Sequence, residues 1–376
     1  MCEQGGLAQP IQFATEVESP GRMKSLLLSA YNQLEVAEMP LPAVGAGEVL
    51  VRVEACGICG SDVHGYDGSS GRRIPPIVMG HEAAGTVAAI GLGVRGYAAG
   101  DRVTFDSTVY CGECVFCKRG DVNLCDNRQV IGVSCGDYRR HGAFAEFVVV
   151  PQRILYRLPE GISFAEAALL EAASVALHAV RVSGAGGGHT ALVIGAGMIG
   201  LLTLQAARAA GCARVLIADV DTTRLKLAKQ MGADEALHAS GASLVDEVMK
   251  MTDGRGVDLS FEAVGRNETV AGAIDCTRKG GTVTLIGNIQ PAVTLALQKV
   301  VTRQLRLQGS CASAGEYPHA IELIAGGHIK VAPLITAIAP LEEGPRWFER
   351  LHAHEPNLMK VILTPNQDAA PATSCA

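Results

Sequence analysis

The chain has no surplus of positive charge. Its 376 residues carry 32 Lys and Arg against 38 Asp and Glu, a formal net charge of −6. Affinity for a nucleic-acid backbone needs a basic face, so nucleic acid is excluded as the main partner. Apolar runs long enough to cross a bilayer are also missing, and a membrane protein is not expected. Residues 1–22 are polar and mixed, without a basic start followed by an apolar stretch. They read as a flexible extension and not as a secretory signal, so the expected location is cytoplasmic. Residues 365–376, rich in Ala, Pro and small polar side chains, read as a disordered tail. Internal repeats and low-complexity core segments are absent. What remains is 48% hydrophobic and 19% charged, a globular chain long enough for two domains with real cores.

Cysteine is present in quantity. Twelve cysteines without an export signal suggest a reducing compartment, where thiols serve metals. Four of them form the run Cys111-Gly-Glu-Cys114-Val-Phe-Cys117, closed by Cys125 after seven more residues. Four thiolates at such spacing can close a tetrahedron around a structural Zn²⁺. An iron–sulfur cluster is the rival. The bacterial ferredoxin run also opens with two C-x₂-C steps, but it closes after three residues and before Pro. Here Asp126 follows Cys125. Cys212 and Cys276 lie in apolar surroundings and read as inert packing.

The first part of the chain alternates short β-type runs with Gly, Pro and Asp. Val49–Val53, Gly85–Ile90, Asp101–Phe105 and Phe147–Val150 predict a largely antiparallel sheet or barrel. Ser163-Phe-Ala-Glu166 has the form of a capping box opening a helical stretch toward Leu170. From about Ala191 the rhythm changes. Strands are expected at Ala191–Ile194, Arg214–Ala218, Val257–Phe261 and Thr282–Ile286, with helices at Met198–Ala210 and Thr222–Met231. Such alternation implies a parallel sheet wound with helices on both faces.

Gly195-Ala-Gly197-Met-Ile-Gly200 follows a strand and opens a helix, the context that gives a glycine fingerprint its meaning. Gly195 permits the tight turn, Gly197 the approach of a diphosphate, and Gly200 close helix–strand packing. The diphosphate would rest on the helix N-terminus, at Met198 and Ile199. Asp219 ends the second strand, where an acid would accept from the ribose hydroxyls. Asp221 adds a second negative charge, and Arg224 is placed in the same site. Two carboxylates there would repel a 2′-phosphate, so NAD is expected over NADP.

A second group of metal-binding residue types is dispersed. Gly57-Ile-Cys59-Gly-Ser61-Asp-Val-His64 follows a β run, and Gly80-His81-Glu82 comes shortly after. Cys59, His81 and Glu82 supply a thiolate, an imidazole and a carboxylate, a mixed shell suited to a catalytic zinc with an open position. Glu171, an acid among apolar residues in Leu170-Glu171-Ala-Ala-Ser, is another candidate, because burial without a partner is costly.

With these motifs in this order, the chain resembles the zinc-containing medium-chain dehydrogenases/reductases, in their sorbitol (polyol) dehydrogenase branch, from about Lys24 to Leu363. The resemblance implies a mixed α/β fold: a GroES-like β-barrel catalytic domain over 23–174 and 310–364, and a Rossmann NAD-binding domain over 175–309. It implies two zinc ions per chain, NAD as coenzyme, a small alcohol as substrate, and a homo-oligomer, tetramer or dimer. Cys59, His81 and Glu82 match the family's catalytic ligands, and Glu171 an acid that either ligates zinc or holds its water. Cys56 matches no ligand. Ser61 and His64 match a hydroxyl–imidazole relay that takes the proton away while a hydride passes to NAD; Ser61 as a mere helix cap is the alternative. The chain departs from the branch at Ala172, where Pro is usual after the acid. It departs again at Gly309–Ser313, where sorbitol dehydrogenases place an Arg-Tyr pair on the substrate. A polyol or related secondary alcohol is therefore the expected substrate, with a sugar-alcohol phosphate or L-threonine as alternatives. Arg72 and Arg73 could meet such a phosphate, although a solvated charge pair is the plainer reading. A non-enzymatic NAD-binding role would show as loss of the ligands or relay, and none is lost.

Overall fold

The computed structural model describes residues 21–239 and 242–366. The expected N-terminal extension, up to residue 20, and the expected tail, from 367, lie outside the described residues. Among the described residues no helix is long and apolar enough to cross a membrane.

The antiparallel runs read from the sequence fall in strands Glu48–Gly57, Glu82–Ile90, Arg102–Phe105 and Phe147–Pro151. These belong to one seven-stranded sheet, flanked by smaller sheets. Leu155–Arg157, paired with Arg102–Phe105, and two strands from the far end of the chain complete it. Lys360–Thr364 pairs antiparallel with Glu48–Gly57, with Ile362 opposite Gly57, and Ile335–Pro340 pairs with Lys360–Thr364. The interior holds Leu26, Val51, Phe105, Phe144 and Phe348, all at most 1% exposed.

The second sheet has six parallel strands, Thr190–Ile194, Arg214–Asp219, Glu235–His238, Val257–Glu262, Thr277–Leu285 and Arg306–Gly309. Alternate side chains of a strand point to opposite faces, and here both faces are covered. Ala191, Val193, Val215 and Ile217 join the core beneath helices Leu170–Ser183 and Met198–Ala209. Leu192, Ile194, Leu216 and Ala218 join the core on the other side, with Val248 and Ile274. This burial on both faces explains the near-continuous apolar runs. Two expectations need correction. The strand expected at Thr282 begins at Thr277, since Thr277 is already opposite Val257. The capping box at Ser163 forms, with Ser163 Oγ accepting from Glu166 N at 3.2 Å, but its helix stops at Ala167. The longer helix starts separately at Leu170.

A buried polar network ties the two sheets' surroundings together. Asn123 Nδ2 donates to the Cys311 carbonyl at 2.7 Å and lies 3.3 Å from His178 Nε2. His178 Nδ1 is 2.9 Å from Glu316 Oε1, and Arg181 Nε donates to the same oxygen at 2.7 Å. Burial pushes the Glu316 carboxyl up, but His178, the Ala314 N–H and Arg181 outweigh it and hold it at about 2. A carboxyl depressed from its ordinary range adds stability that is complete above that range. The contribution is lost as pH falls from about 4.5 to about 2. Glu316→Gln should therefore cost about 2 kcal/mol at pH 7, discounted because Arg181 is partly exposed. The gap between variant and parent should close as pH drops toward 2. Parallel thermal-melt curves for the two proteins across that window would contradict this account.

Candidate functional site

The four-cysteine lobe folds around its own backbone amides. Cys114 caps the short helix Val115–Arg119, its Sγ accepting from Cys117 N. Cys111 Sγ accepts from Cys114 N at 3.4 Å, and Cys125 Sγ from Cys111 N at 3.2 Å. Sulfur–sulfur distances are 3.5 Å for Cys111–Cys125 and 3.9 Å for Cys111–Cys117. All four sulfurs lie within 4.8 Å of one another. Zn–S bonds of about 2.3 Å make a tetrahedron with edges of about 3.8 Å, so the set fits one zinc ion. A cluster of several irons would hold the sulfurs further apart. Bonds from Glu113 N–H and Cys114 N–H bring the Cys111 thiol down to about 6, while burial pushes Cys117 up to about 12. Apolar support is scant: Val115 is 58% and Leu124 47% exposed.

The dispersed set is assembled by strand register. Gly57, at the end of its strand, stands opposite Glu82. A Cβ on Gly57 would lie 2.7 Å from Glu82 Oε2, so glycine there admits the carboxylate. Two residues on, Cys59 caps helix Gly60–Tyr66, its N–H donating to Asp62 Oδ2 at 3.2 Å. His81 precedes the strand that Glu82 opens. It follows Gly80, whose φ of +92° and contact with Phe144 admit no side chain. The donor atoms of Cys59, His81 and Glu82 lie within 4.8 Å of one another, with His81 and Glu82 buried. Sulfur, nitrogen and oxygen in a three-donor set fit a zinc ion with one position left open. His81 Nδ1 lies 3.3 Å from Asp62 Oδ1, which leaves Nε2 to face the other donors.

Glu171 is not brought into this set. It sits in the first turn of Leu170–Ser183, half-buried, and burial followed by the Glu82 charge pushes it up to about 7. It stands near enough to feel the charges of Glu82 and His81. Ser61 Oγ lies 3.5 Å from His81 Nε2. His64 is exposed one helical turn further on, and its carbonyl accepts from Ser69 Oγ and Ser70 N.

Three participants escaped the sequence reading, Asp62, Lys360 and Asp106, and a fourth, Arg73, was read otherwise. Lys360, 2% exposed, pairs with Glu82 Oε2 and donates to the Ile58 carbonyl at 3.1 Å. A lone lysine inside the apolar run Met359-Lys360-Val-Ile-Leu was the available signal. Asp106 is pushed up to about 6 by burial and accepts from Ser313 Oγ at 3.2 Å. That contact brings the segment lacking the Arg-Tyr pair to the site. The reading of Arg72 and Arg73 as a solvated pair is half wrong. Arg72 is exposed, but Arg73 is 4% exposed and bonded to Asp62, Ser61 and the Arg72 carbonyl. Three of its contacts are thus inside the protein, with Asp62, Ser61 and the Arg72 carbonyl. Cys212, Cys276 and Cys56 are all buried in apolar clusters, as packing requires.

At the nucleotide fingerprint Gly195 has φ +101°. A Cβ on Gly200 would lie 1.7 Å from the Gly195 carbonyl oxygen, whereas one on Gly197 would meet nothing within 4 Å. That open space precedes Met198 and Ile199 at the start of a twelve-residue helix whose first amides are free for a diphosphate. Asp219 Oδ2 accepts from Ala196 N at 2.6 Å, and Oδ1 from Asp221 N at 2.9 Å. Each oxygen keeps a lone pair for a ribose hydroxyl. Asp221 caps the next helix, bonding the Thr223 and Arg224 amides, and the Arg224 side chain lies 3.7 Å from it.

Comparison with known proteins agrees with this geometry. A family model described as an alcohol dehydrogenase GroES-like domain matches residues 45–160, and one described as a zinc-binding dehydrogenase matches 199–326. Sorbitol dehydrogenase of Bacillus subtilis (strain 168) is 32% identical over 352 residues, 93% of this chain and 99% of that protein. L-idonate 5-dehydrogenase of Vitis vinifera is 37% identical over 310 residues, 81% of this chain and 84% of that protein. A zinc-binding dehydrogenase from Sinorhizobium meliloti 1021, solved bound to NADP, superposes with a TM-score of 0.84 at 33% identity. It covers 92% of this chain and all of its own.

The fingerprint glycines should separate fold from binding. Gly197→Ala meets only open space, so its melting temperature should stay near the parent's while dinucleotide affinity falls at least about tenfold, as a diphosphate contact is lost. Gly200→Ala must displace backbone and should cost about 1–3 kcal/mol of stability. Thermal melts and fluorescence titration with NADH read both effects. Unchanged affinity in Gly197→Ala would move the diphosphate away from this turn.

Proposed function

The chain belongs to the zinc-containing medium-chain dehydrogenase/reductase family, and on that premise we propose that it oxidises a polyol or related secondary alcohol to the ketone with NAD. The observation that carries this reading is the convergence of Cys59, His81 and Glu82, with Ser61 Oγ 3.5 Å from His81 Nε2. Relatives named sorbitol and L-idonate 5-dehydrogenase support the polyol class. The segment Gly309–Ser313, which has neither residue of the Arg-Tyr pair, sets this chain apart from sorbitol dehydrogenases in its substrate. The test is a screen of zinc-replete protein with NAD against polyols, polyol phosphates, threonine and simple primary alcohols, following NADH absorbance. Turnover confined to primary alcohols or to phosphates would overturn the polyol assignment.

Cys59, His81 and Glu82 would hold a catalytic zinc, and the four-cysteine lobe a structural one. When bound, the catalytic zinc supplies a Lewis acid that makes a substrate hydroxyl more acidic, and NAD supplies the hydride acceptor. The residues of the chain do the rest. Asp62 fixes the His81 ring. Gly195, Gly197 and Gly200 seat the diphosphate, and Asp219 accepts from the ribose. Ser61 takes the proton released by the substrate and passes its own toward His64 and solvent. Glu171 holds the reacting hydroxyl or its water. The alcohol carbon loses a hydride, the oxygen a proton, and a ketone remains.

Subunit association is part of the same reading. Residues 291–298, Pro-Ala-Val-Thr-Leu-Ala-Leu-Gln, are all exposed and uncharged, and Leu297 is 63% exposed. Such a patch is characteristic of a surface covered in an assembly, which supports a homo-oligomer.

Two zinc ions per chain are expected by metal analysis. Cys114→Ser should lose one of them together with stability, because the lobe has little else to hold it. Cys59→Ser should lose the other together with turnover, with the fold retained. A fully active protein with a single zinc would sink this assignment. His64→Ala should slow oxidation roughly ten- to a thousandfold near neutral pH. Imidazole should restore part of the rate, and the loss should shrink at high pH. Parental activity at pH 7 would make His64 an ordinary surface residue. Asp219→Asn removes the ribose-facing charge and leaves one acceptor oxygen where two backbone N–H groups were held. It should weaken NAD and narrow the gap to NADP; a parent that uses both coenzymes equally would contradict the placement of Asp219.

A further inference from the structure

Among the described residues only two cations are buried, Lys360 and Arg73. Lys360 is accounted for by Glu82. Arg73 comes from the segment between the two halves of the metal-binding set, and its path is built into the helix it crosses. A Cβ on Gly65 would lie 2.1 Å from Arg73 Cγ and 2.9 Å from Arg73 Cβ. Glycine is unfavourable inside a helix such as Gly60–Tyr66, and room for the Arg73 stem is what it provides here. Ser61 and Asp62 precede Gly65 by four and three residues, so all three share one helix face. The guanidinium reaches both: NH2 donates to Asp62 Oδ1 at 3.2 Å and to Ser61 Oγ at 3.4 Å, and NH1 to the Arg72 carbonyl at 3.1 Å.

The bond to Asp62 neutralises a buried carboxylate. The bond to Ser61 has no such need behind it. A guanidinium can only donate, and a serine hydroxyl has one hydrogen and two lone pairs. Ser61 Oγ must therefore spend one lone pair on Arg73. Its hydrogen points elsewhere, and one lone pair is left for an incoming proton. His81 Nε2, which faces the metal-binding set, lies 3.5 Å from the same hydroxyl, and His64 follows one helical turn further along the helix.

We infer that Arg73 is a positioning residue for the proton relay: it fixes the Ser61 hydroxyl so that the oxygen accepts from the substrate and its hydrogen leaves toward His64. The inference rests on the relay reading of Ser61. In the step, the substrate O–H bond breaks as a new O–H bond forms at Ser61 Oγ. The original Ser61 hydrogen departs as a proton. The hydride leaves the alcohol carbon with its electron pair for NAD. Arg73 gains and loses nothing.

The test is a double-mutant cycle on the holoenzyme, using the polyol found active in the substrate screen. Parent, Ser61→Ala, Arg73→Met, Arg73→Lys and Arg73→Met/Ser61→Ala are compared for kcat, both KM values, zinc content and melting temperature. Arg73→Met should lower kcat about ten- to a hundredfold, with both KM values within about twofold and zinc content unchanged. In the Ser61→Ala background the same substitution should change kcat less than about twofold, because Arg73 acts through the hydroxyl. Arg73→Lys keeps a charge but loses the fork, and should recover only part of the rate. Multiplicative losses in the double variant would overturn the inference. So would lost zinc with parental kcat per bound zinc, since Arg73 would then act only through Asp62 and His81. If Arg73→Met does not fold, Arg73→Lys decides: parental kcat at full zinc content overturns the inference. A parental rate in Ser61→Ala would instead sink the relay reading itself, whatever Arg73 does.

Discussion

The register of one strand governs the chemistry of this protein. Gly57 stands opposite Glu82 on one side and Ile362 on the other. That pairing brings together a turn carrying Cys59, a strand start carrying His81 and Glu82, and a C-terminal strand carrying Lys360. A slip of one residue would turn Glu82 to the opposite face of the sheet. The bare Cα of Gly57 is part of the same constraint, because any side chain there would strike the Glu82 carboxylate.

Burial of charge follows from that convergence. Asp62, Glu82, Arg73 and Lys360 are each no more than 6% exposed. Isolated, any of them would be costly; breaking a buried pair typically costs about 3–5 kcal/mol. The structure answers with two pairs arranged around the three donors, Arg73–Asp62 and Lys360–Glu82. Asp62 shows how the terms balance. Burial pushes its carboxyl up, yet His81 and Arg73 hold it at about 2. Asp62 thus stays an anion that can hold the His81 ring. Glu171, with no cation of its own, is pushed up to about 7 instead. The two acids differ because His81 first, and then Arg73, offset burial at Asp62, whereas the Glu82 charge adds to burial at Glu171.

What the sequence made legible was whatever is local. The four cysteines, the glycine fingerprint and the Cys59–Ser61–His64 run each lie close together in the chain, the widest with its ends 14 positions apart, so spacing alone describes them. Strand and helix types were readable from periodicity, and the errors fell at boundaries. Thr277 opens its strand early because it pairs with Val257, a contact no window of sequence contains. Arg73 was misread for the same reason. A guanidinium between Arg72 and Ile74 looks solvated until the helix carrying Gly65 is laid across it. Lys360 lies 278 residues from Glu82. Buried ion pairs of such separation become visible only when topology closes them.

The four-cysteine lobe gains its importance from Asn123, a residue with no metal chemistry. Asn123 lies between Cys117 and Cys125 and is 6% exposed. Its amide holds the Cys311 carbonyl and meets His178, which in turn meets Glu316. Closing the sulfur tetrahedron thus fixes the position of a side chain that buttresses both the helix bearing Glu171 and the segment bearing Ser313. Ser313 reaches Asp106, and Asp106 borders the acids of the reactive set. The lobe therefore shapes one wall beside Asp106 without lending a donor to the three-residue set. The same wall lacks the Arg-Tyr pair. Strand register thus places the three donors, and the packing between lobe, helix and returning segment builds what surrounds them.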